Sequence, residues 1–419
     1  MNQNEGTAKF AAIKGAPQSV RYLNELRALD VLFREGAMSR ADLARALALN
    51  RSTTGNIIGS LMAQALVAER PRARQSGVPA RTGRPGIDIE LDPKGAVFIG
   101  AEIEVDRLTA VAIDLCGKIT RRKSVAFHAA RQDPATGAEG IAKLVNSLIR
   151  SSPDSARVKG VCVAVPALVE GGNVRHGLLL GWRDAPLADL IKKHVPANLP
   201  IAIENDANAF AIAATYTGAS RNSETVAFLV VESGAGGAIV SGGRLFRGGG
   251  MAGEFGHLSV GGSGYATERS RTGLLENYIG KDAVLARYAT RGGPDGVTLR
   301  DFFTALEHGE TAAVNTANDW AKWLARGLLH IVNIINPDLV IIGGSVGGVY
   351  PFVAPTVDAI LRTELPDEFQ MPKIELSQFG AEGPALGAAL LLHQRMFSVD
   401  ERAFYPDGGA RGLFRMASV

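Results

Sequence analysis

The chain has 419 residues, 46% of them hydrophobic and 21% charged, with a formal net charge of +3. That length exceeds one ordinary core, so two or three domains of a soluble globular protein are expected. No run approaches the roughly 18–20 apolar residues of a spanning helix, and the N-terminus lacks the apolar stretch of a signal peptide.

Two cysteines, Cys116 and Cys162, lie in apolar strand-like runs and supply neither a disulfide framework nor metal-ligand spacing. The cytoplasm is the expected compartment, with no membrane partner. Charge is unevenly spread. Residues 1–90 hold 13 Lys/Arg against 8 Asp/Glu, and five arginines without an acid fall between Arg70 and Arg84. A basic head on a slightly acidic body points to a nucleic-acid partner for the head.

In chain order, Leu23, Leu26, Leu29, Val31, Leu32 and Phe33 keep helical spacing until Gly36 stops the helix. Ser39 opens a second helix as N-cap with Asp42 in the capping-box position, and Leu43, Ala44 and Leu47 form its inner stripe. Asn50 caps a third helix, with Ile57, Ile58 and Leu61 inside and Arg51, Ser52, Thr53 and Asn56 outside. Two short helices joined by a tight turn match a helix-turn-helix. Short polar side chains let the second approach base edges, and Arg51 can reach a guanine or a phosphate.

A helical protein-interaction module is the competing reading, but it would not need the arginine-rich stretch after the third helix. Leu66–Glu69 and Ile87–Leu91 can pair as strands of a wing whose loop carries Arg72, Arg74, Arg81 and Arg84. A thin arginine loop suits a narrow minor groove, which makes Arg81 and Arg84 candidate DNA contacts. Residues 1–92 are therefore expected to form a winged helix-turn-helix.

From residue 95 the texture becomes short apolar strands, glycine turns and long helices. "AVFIGAEIEVDRLTAVAIDLCGKIT" reads as strand, turn, strand, and "TVAFLVVESGAGGAIVSGGRLF" (225–246) repeats that plan. Two such hairpins imply duplicated α/β lobes with a cleft between them. The expected bounds are 93–210 for the first lobe, completed by about 380–396, and 211–379 for the second. The tail 397–419 has no assigned role; a flexible end and an oligomer contact both fit it.

Ligands of such folds bind at the carboxyl ends of strands, where "IENDANAF" (203–210) falls. Asp206 there suits a base for a substrate hydroxyl, or equally a helix N-cap. The second lobe supplies "GGGMAGEFGH" (248–257).

Five motifs in order, "GWRDAPLADLI", "IENDANAF", "GGRLFRGGGMAGEFGH", "INPDLVIIGGSVGG" and "GPALGAALLL", resemble the ROK family of repressors, open reading frames and kinases, over residues 95 to about 393. The head, with "TGRP" in its wing, looks like the repressor branch that includes xylose and N-acetylglucosamine regulators. The resemblance implies an actin-like, hexokinase-like pair of α/β lobes. It also implies that Asn205, Asp206, Glu254, His257 and Glu276 contact sugar hydroxyls, Asp206 matching the catalytic base. Carboxylates and an amide are suited to holding several hydroxyls at once.

The phosphate side departs from the family. Glu102 stands at the aspartate position of the first turn, Glu104 and Val105 at the glycines, and Asp106 at the threonine. Side chains then fill phosphate space, and added carboxylates repel a polyanion. The second turn keeps Gly234, Gly236 and Gly237 but carries Glu232. Phosphoryl transfer is not expected, Asp206 would be a vestigial base, and no cofactor is expected, although "GGSVGG" leaves a residual nucleotide site open.

Two more departures stand out. "HGLLL" lacks the asparagine that relatives place near Leu179, which implies an unusual or more loosely held sugar. Thr267, Arg269 and Leu274 occupy the cysteine positions of the family's zinc cluster, so no metal is expected, and packing through Tyr265 and Leu275 would hold that loop instead.

The reading that results is a sugar-responsive regulator, a repressor of carbohydrate uptake or catabolism genes. It would act as a homodimer or higher homo-oligomer on operator DNA. The alternatives are a carbohydrate kinase with a DNA-binding head and a ligand-independent DNA-binding protein with a relic cleft.

Overall fold

The computed structural model describes residues 17–71, 87–152, 154–216, 223–262, 272–380 and 382–398. Its first helix, α1 (Pro17–Glu35), ends where Gly36 takes a left-handed conformation, φ 81°, and donates its N–H to Leu32 O at 3.0 Å. A two-residue strand, β1 (Met38–Ser39), leads into α2 (Arg40–Leu47), whose first turn is capped by Ser39 Oγ accepting the Asp42 N–H at 3.1 Å. Helix α3 (Arg51–Ala63) begins under Asn50, whose Oδ1 accepts the Thr53 N–H at 2.8 Å. Both caps satisfy donors that a helix start leaves unpaired.

Strands β2 (Val67–Pro71) and β3 (Ile87–Leu91) pair antiparallel, β2 lying slightly later than the sequence pattern places it. The sequence pattern also gives no sign of β1, which adds a third strand on β3. The loop bearing Arg72, Arg74, Arg81 and Arg84 lies outside the described residues.

The body holds two five-stranded sheets built to one plan. In the first, β4 (Val97–Ile103), β5 (Arg107–Asp114) and β6 (Ile119–Ala126) form an antiparallel meander. Strands β7 (Val158–Val165) and β11 (Ile201–Asn205) then extend β4 in parallel. Between these two, β8 (Leu168–Glu170), β9 (Asn173–Gly177) and β10 (Trp182–Ala185) make a small separate sheet.

In the second, β12 (Thr225–Val231), β13 (Ala235–Ser241) and β14 (Arg244–Phe246) form the meander, and β15 (Leu339–Gly343) and β16 (Lys373–Leu376) extend β12 in parallel. The identical order is the duplication that the two hairpins announced. Strand β4 is buried on both faces, as a central strand with helices on each side must be.

Helices cover the sheets. On the first lobe, α4 (Pro134–Ser151) starts with Asp133 Oδ1 accepting the Thr136 N–H at 2.7 Å and buries Ile141, Val145 and Leu148, while short α5 (Leu187–Lys192) follows β10. On the second lobe lie α7 (Glu276–Ile279), α8 (Lys281–Thr290), α9 (Leu299–Glu307), α10 (Thr311–Ile335) and α11 (Tyr350–Glu364). None of the described helices is long and apolar enough to cross a membrane.

Two helices lie at the centre. α6 (Asp206–Tyr216) follows β11, and the chain's last described helix, α12 (Gly383–Phe397), returns beside it. The glycines of "GPALGAALLL" make that approach possible. A Cβ at Gly387 would lie 1.6 Å from Ala209 O, with no room to relax against backbone. The expected lobe junction at 210/211 falls inside α6, which continues unbroken to Tyr216.

The head shares a core with this centre. One cluster of buried side chains runs from Leu29 and Leu32 of α1 through Ala96, Phe98 and Leu115 to Leu390 and Phe397 of α12. The Asp92 N–H donates to Leu66 O at 3.0 Å, and Arg157 Nη1 donates to Gln64 O at 3.1 Å.

Candidate functional site

The apolar strand β11 delivers "IENDANAF" into the cleft. Glu204, 6% exposed, stands level with Ala164 on β7, which in turn stands level with Glu102 on β4. Glu204 Oε1 accepts from Arg247 Nη1 at 2.9 Å, from Asn208 Nδ2 at 3.0 Å and from the Asn205 N–H at 3.1 Å. Its Oε2 accepts from Arg247 Nη2 at 2.6 Å. Arg247 follows β14, so a cation of the second lobe satisfies a buried carboxylate of the first. Sequence reasoning missed this arginine because its partner lies 43 residues away and no spacing rule links them.

Asn205 caps α6. Its Oδ1 accepts the Asn208 N–H at 3.0 Å and its Nδ2 donates to Ala167 O at 3.2 Å, leaving one amide hydrogen and one lone pair for a ligand. The cap role considered for Asp206 thus falls to its neighbour. Asp206 is the first residue of α6, its Oδ1 accepting the Ala207 N–H at 2.8 Å. Burial, followed by the charges of Glu254 and Glu104, pushes its carboxyl up to about 7 despite that hydrogen bond. An aspartate half-protonated near neutrality is the state expected of a base in a low-dielectric cleft.

The second lobe brings the other three residues to the same place. Glu254 begins a short turn, Phe255–His257, that is packed against β13; a Cβ at Gly256 would lie 1.8 Å from Ala235 O. Glu276 opens α7 beside the β12–β13 turn, where a Cβ at Gly234 would lie 3.0 Å from Glu276 Oε2. Burial raises both carboxyls, and the neighbouring His257 holds both back. His257 itself is exposed.

A cavity of about 770 Å³ adjoins these groups. It is lined by Ala167, Asn173, Asn205, Asn208, Arg247 and Glu254 among others, while Asp206, His257 and Glu276 lie outside its lining. Asn173, on β9, went unnoticed in the sequence; it lies in the same connection as half-buried Leu179.

The turns that the family resemblance assigns to phosphate carry acids. Glu102 is 2% exposed, its Oε2 has no hydrogen-bond partner among the described residues, and burial, with Glu104 and Asp206 nearby, holds its carboxyl well above the usual range. Glu104 accepts from Arg107 Nη2 at 2.5 Å, across the hairpin turn that contains Val105 and Asp106. On the second turn Glu232 reaches the loop after β15, where its Oε1 accepts the Ser345 N–H at 2.6 Å and its Oε2 takes the Ser345 hydroxyl. That amide is the donor "GGSVGG" would offer an anion, and an internal carboxylate already holds it.

At the positions that the resemblance assigns to a zinc loop, Tyr265, Thr267 and Arg269 lie outside the described residues. Leu274 donates its N–H to Asn277 Oδ1 at 2.9 Å, and Leu275 is fully buried against Gly327. Among the described residues no group of His, Cys, Asp and Glu could hold a metal ion. Burial pushes the Cys116 thiol up to about 11 and Cys162 to about 12, as expected of cysteines that pack rather than react. In the head, Arg51, Ser52 and Asn56 are exposed on α3 and Thr53 is half-buried. Arg81 and Arg84 lie outside the described residues.

The ROK family model matches residues 98–395, well over half of the chain. The chain belongs to the ROK family. The match bears out the resemblance carried by the five motifs. This ROK protein is 24% identical to the xylose repressor of Bacillus spizizenii over 384 residues, 91% of this chain and 97% of that relative.

Among solved structures it is similar to a ROK family transcriptional regulator homologous to the Escherichia coli Mlc protein. The TM-score is 0.76 at 23% identity, covering 90% of this chain and 97% of the other. It is also similar to a ROK family glucokinase from Streptomyces griseus in complex with glucose and AMPPNP. There the TM-score is 0.61 at 26% identity, covering 71% of this chain and all of the other. The ROK fold accounts for the paired sheets.

Proposed function

We propose that this ROK protein is a sugar-responsive transcriptional regulator, a repressor of carbohydrate uptake or catabolism genes, acting in the cytoplasm as a homodimer or higher homo-oligomer on operator DNA. Residues 1–92 form a winged helix-turn-helix that reads DNA through Arg51, Ser52, Thr53 and Asn56, with Arg81 and Arg84 on the wing. Asn205, Asp206, Glu254, His257 and Glu276 hold the hydroxyls of a sugar or sugar derivative. The protein is not a kinase.

The observation that carries the reading is the asymmetry of the cleft. Asp206, Glu254, His257 and Glu276 lie within electrostatic reach of one another, while the positions that the family resemblance assigns to phosphate carry Glu102, Glu104 and Glu232. A site built this way keeps binding and gives up transfer. The likeness to a xylose repressor over 91% of the chain, head included, supports the same reading. Ligand shifts operator occupancy by binding one arrangement of lobes and heads better than the other.

The test is selection of fragmented genomic DNA on the purified protein, with and without a panel of sugars and sugar phosphates. A palindrome near carbohydrate genes whose enrichment one sugar alters is the expected result. Enrichment that no sugar in the panel alters favours a relic cleft. Asp206, at the start of α6 where the resemblance places a catalytic base, favours the kinase as the second reading; sugar-dependent ATP consumption would establish it.

A further inference from the structure

We propose that the helix pair α6–α12 carries the state of the cleft to the DNA-binding head, through a joint made by Tyr216, His393 and Phe33. The inference rests on the reading of the protein as a ligand-responsive regulator and adds the route.

The cleft end of the route is fixed to both lobes. Asn205 caps α6, and Glu204, just before it, is held by Arg247 of the second lobe. Strand β13 also touches the helix there, since a Cβ at Gly236 would lie 3.2 Å from Ala207 Cβ. Any shift of the second lobe relative to the first therefore acts on the N-terminus of α6.

The middle is stiff. α6 has 11 residues, about 16 Å of helix at 1.5 Å per residue, and Ala207 and Ala209 through Thr215 are all buried. It cannot slide past α12. Gly387 leaves no room at Ala209 O, and a Cβ at Gly383 would lie 2.0 Å from the Phe210 ring. Close-packed helices without slack move together and transmit displacement.

The far end is the joint. Tyr216, the last residue of α6, places its hydroxyl 3.1 Å from His393 Nδ1 on α12. His393 Nε2 lies 2.8 Å from Leu115 O. A carbonyl can only accept, so Nε2 carries the hydrogen and Nδ1 of the neutral ring accepts from the tyrosine. Burial holds the imidazole neutral, its pKa pushed down to about 4.

Against this assembly sits Phe33 of α1, in the head. Its ring centre lies 5.4 Å from Tyr216, 4.7 Å from His393 and 5.4 Å from Phe397. One aromatic side chain of the head thus rests on both central helices.

A purely structural aromatic cluster would show the same distances, so the test measures coupling. Full-length parent, Arg247→Ala, Tyr216→Phe and the double variant are compared by amide hydrogen exchange in residues 17–35. Arg247→Ala should change exchange in α1 at least threefold, and Arg247→Lys should change it less, in the same direction. In the double variant the change should fall to within about twofold, the scatter of independent sites. Phe33→Leu in place of Tyr216→Phe should do the same. An undisturbed α1 in Arg247→Ala, or a full change persisting in both double variants, overturns the route. No sugar is needed, so this result stands apart from the outcome of the sugar panel.

Discussion

Arg247 and Glu204 bind the two lobes to each other, with paired hydrogen bonds of 2.9 and 2.6 Å across the cleft. The carboxylate is 7% exposed at its side chain and the guanidinium 43%, so the pair is sunk on one side and wet on the other. Removing the arginine leaves a buried charge with only Asn205 and Asn208 to satisfy it. Arg247→Ala should therefore cost about 2 kcal/mol of stability, less than a fully buried pair because water reaches the vacated site. Glu204→Gln, which removes the charge and keeps the shape, should cost less. Urea midpoints of the two variants check the order; a reversed order would mean the charge itself contributes little.

Asp206 makes stability depend on pH. Its ordinary value of 3.8 is raised to about 7 in the folded chain. The native state then binds more protons than the unfolded state between those values. Its contribution is fully present below about pH 4 and is lost as pH rises through 7. Glu102, Glu104, Glu254 and Glu276 are raised too, so the difference between parent and variant is the informative quantity. Asp206→Asn should gain stability over the parent at pH 8 and show no such gain at pH 4, while losing its response to sugar. Equal pH profiles for the two proteins would place the raised carboxyl elsewhere.

Glu232 gives the most direct test of the proposed closure of the phosphate side. Its carboxylate holds the Ser345 N–H at 2.6 Å, as a bound anion would. Glu232→Gly should free that amide and give measurable binding of AMPPNP where the parent shows none. Glu102 and Glu104 remain in the first turn, so no transfer to sugar should appear. Calorimetry with the nucleotide decides it, and a parent that binds AMPPNP as tightly as the variant refutes the self-occupied loop.

These residues also mark how far the sequence could be read. The Ser39 and Asn50 caps, the repeated hairpins and the acid-substituted turns were legible because each is written within a few residues of chain. The five motifs led to the family, and with it to Asn205, Asp206, Glu254, His257 and Glu276 as a set. What stayed hidden depends on partners far apart in sequence. Arg247 finds Glu204 across 43 residues and Tyr216 finds His393 across 177. β1 is only two residues long, too short to show any alternation, and exists because β3 offers it an edge. The same short range explains the misplaced role at the start of α6, where adjacent Asn205 and Asp206 compete for the cap and only the hydrogen bond to Asn208 N–H separates them.

The head gives the last prediction. Arg51 is exposed at the first position of α3, one residue after the Asn50 cap, on the face that carries Ser52 and Asn56. Its loss removes no core packing and leaves the cap intact. Arg51→Ala should thus leave the urea midpoint within about 0.5 kcal/mol of the parent, as for an ordinary surface site. Operator affinity should fall by about 1–3 kcal/mol if the guanidinium reads a guanine, with specificity relaxed at one base pair. A phosphate contact would instead weaken all sequences alike and lower the salt slope by about 1. Asn50→Ala is the counterpart, costing about 1 kcal/mol of stability through the lost cap. Binding titrations at several salt concentrations separate the two roles of Arg51, and unchanged affinity at every salt concentration would remove α3 from the DNA interface.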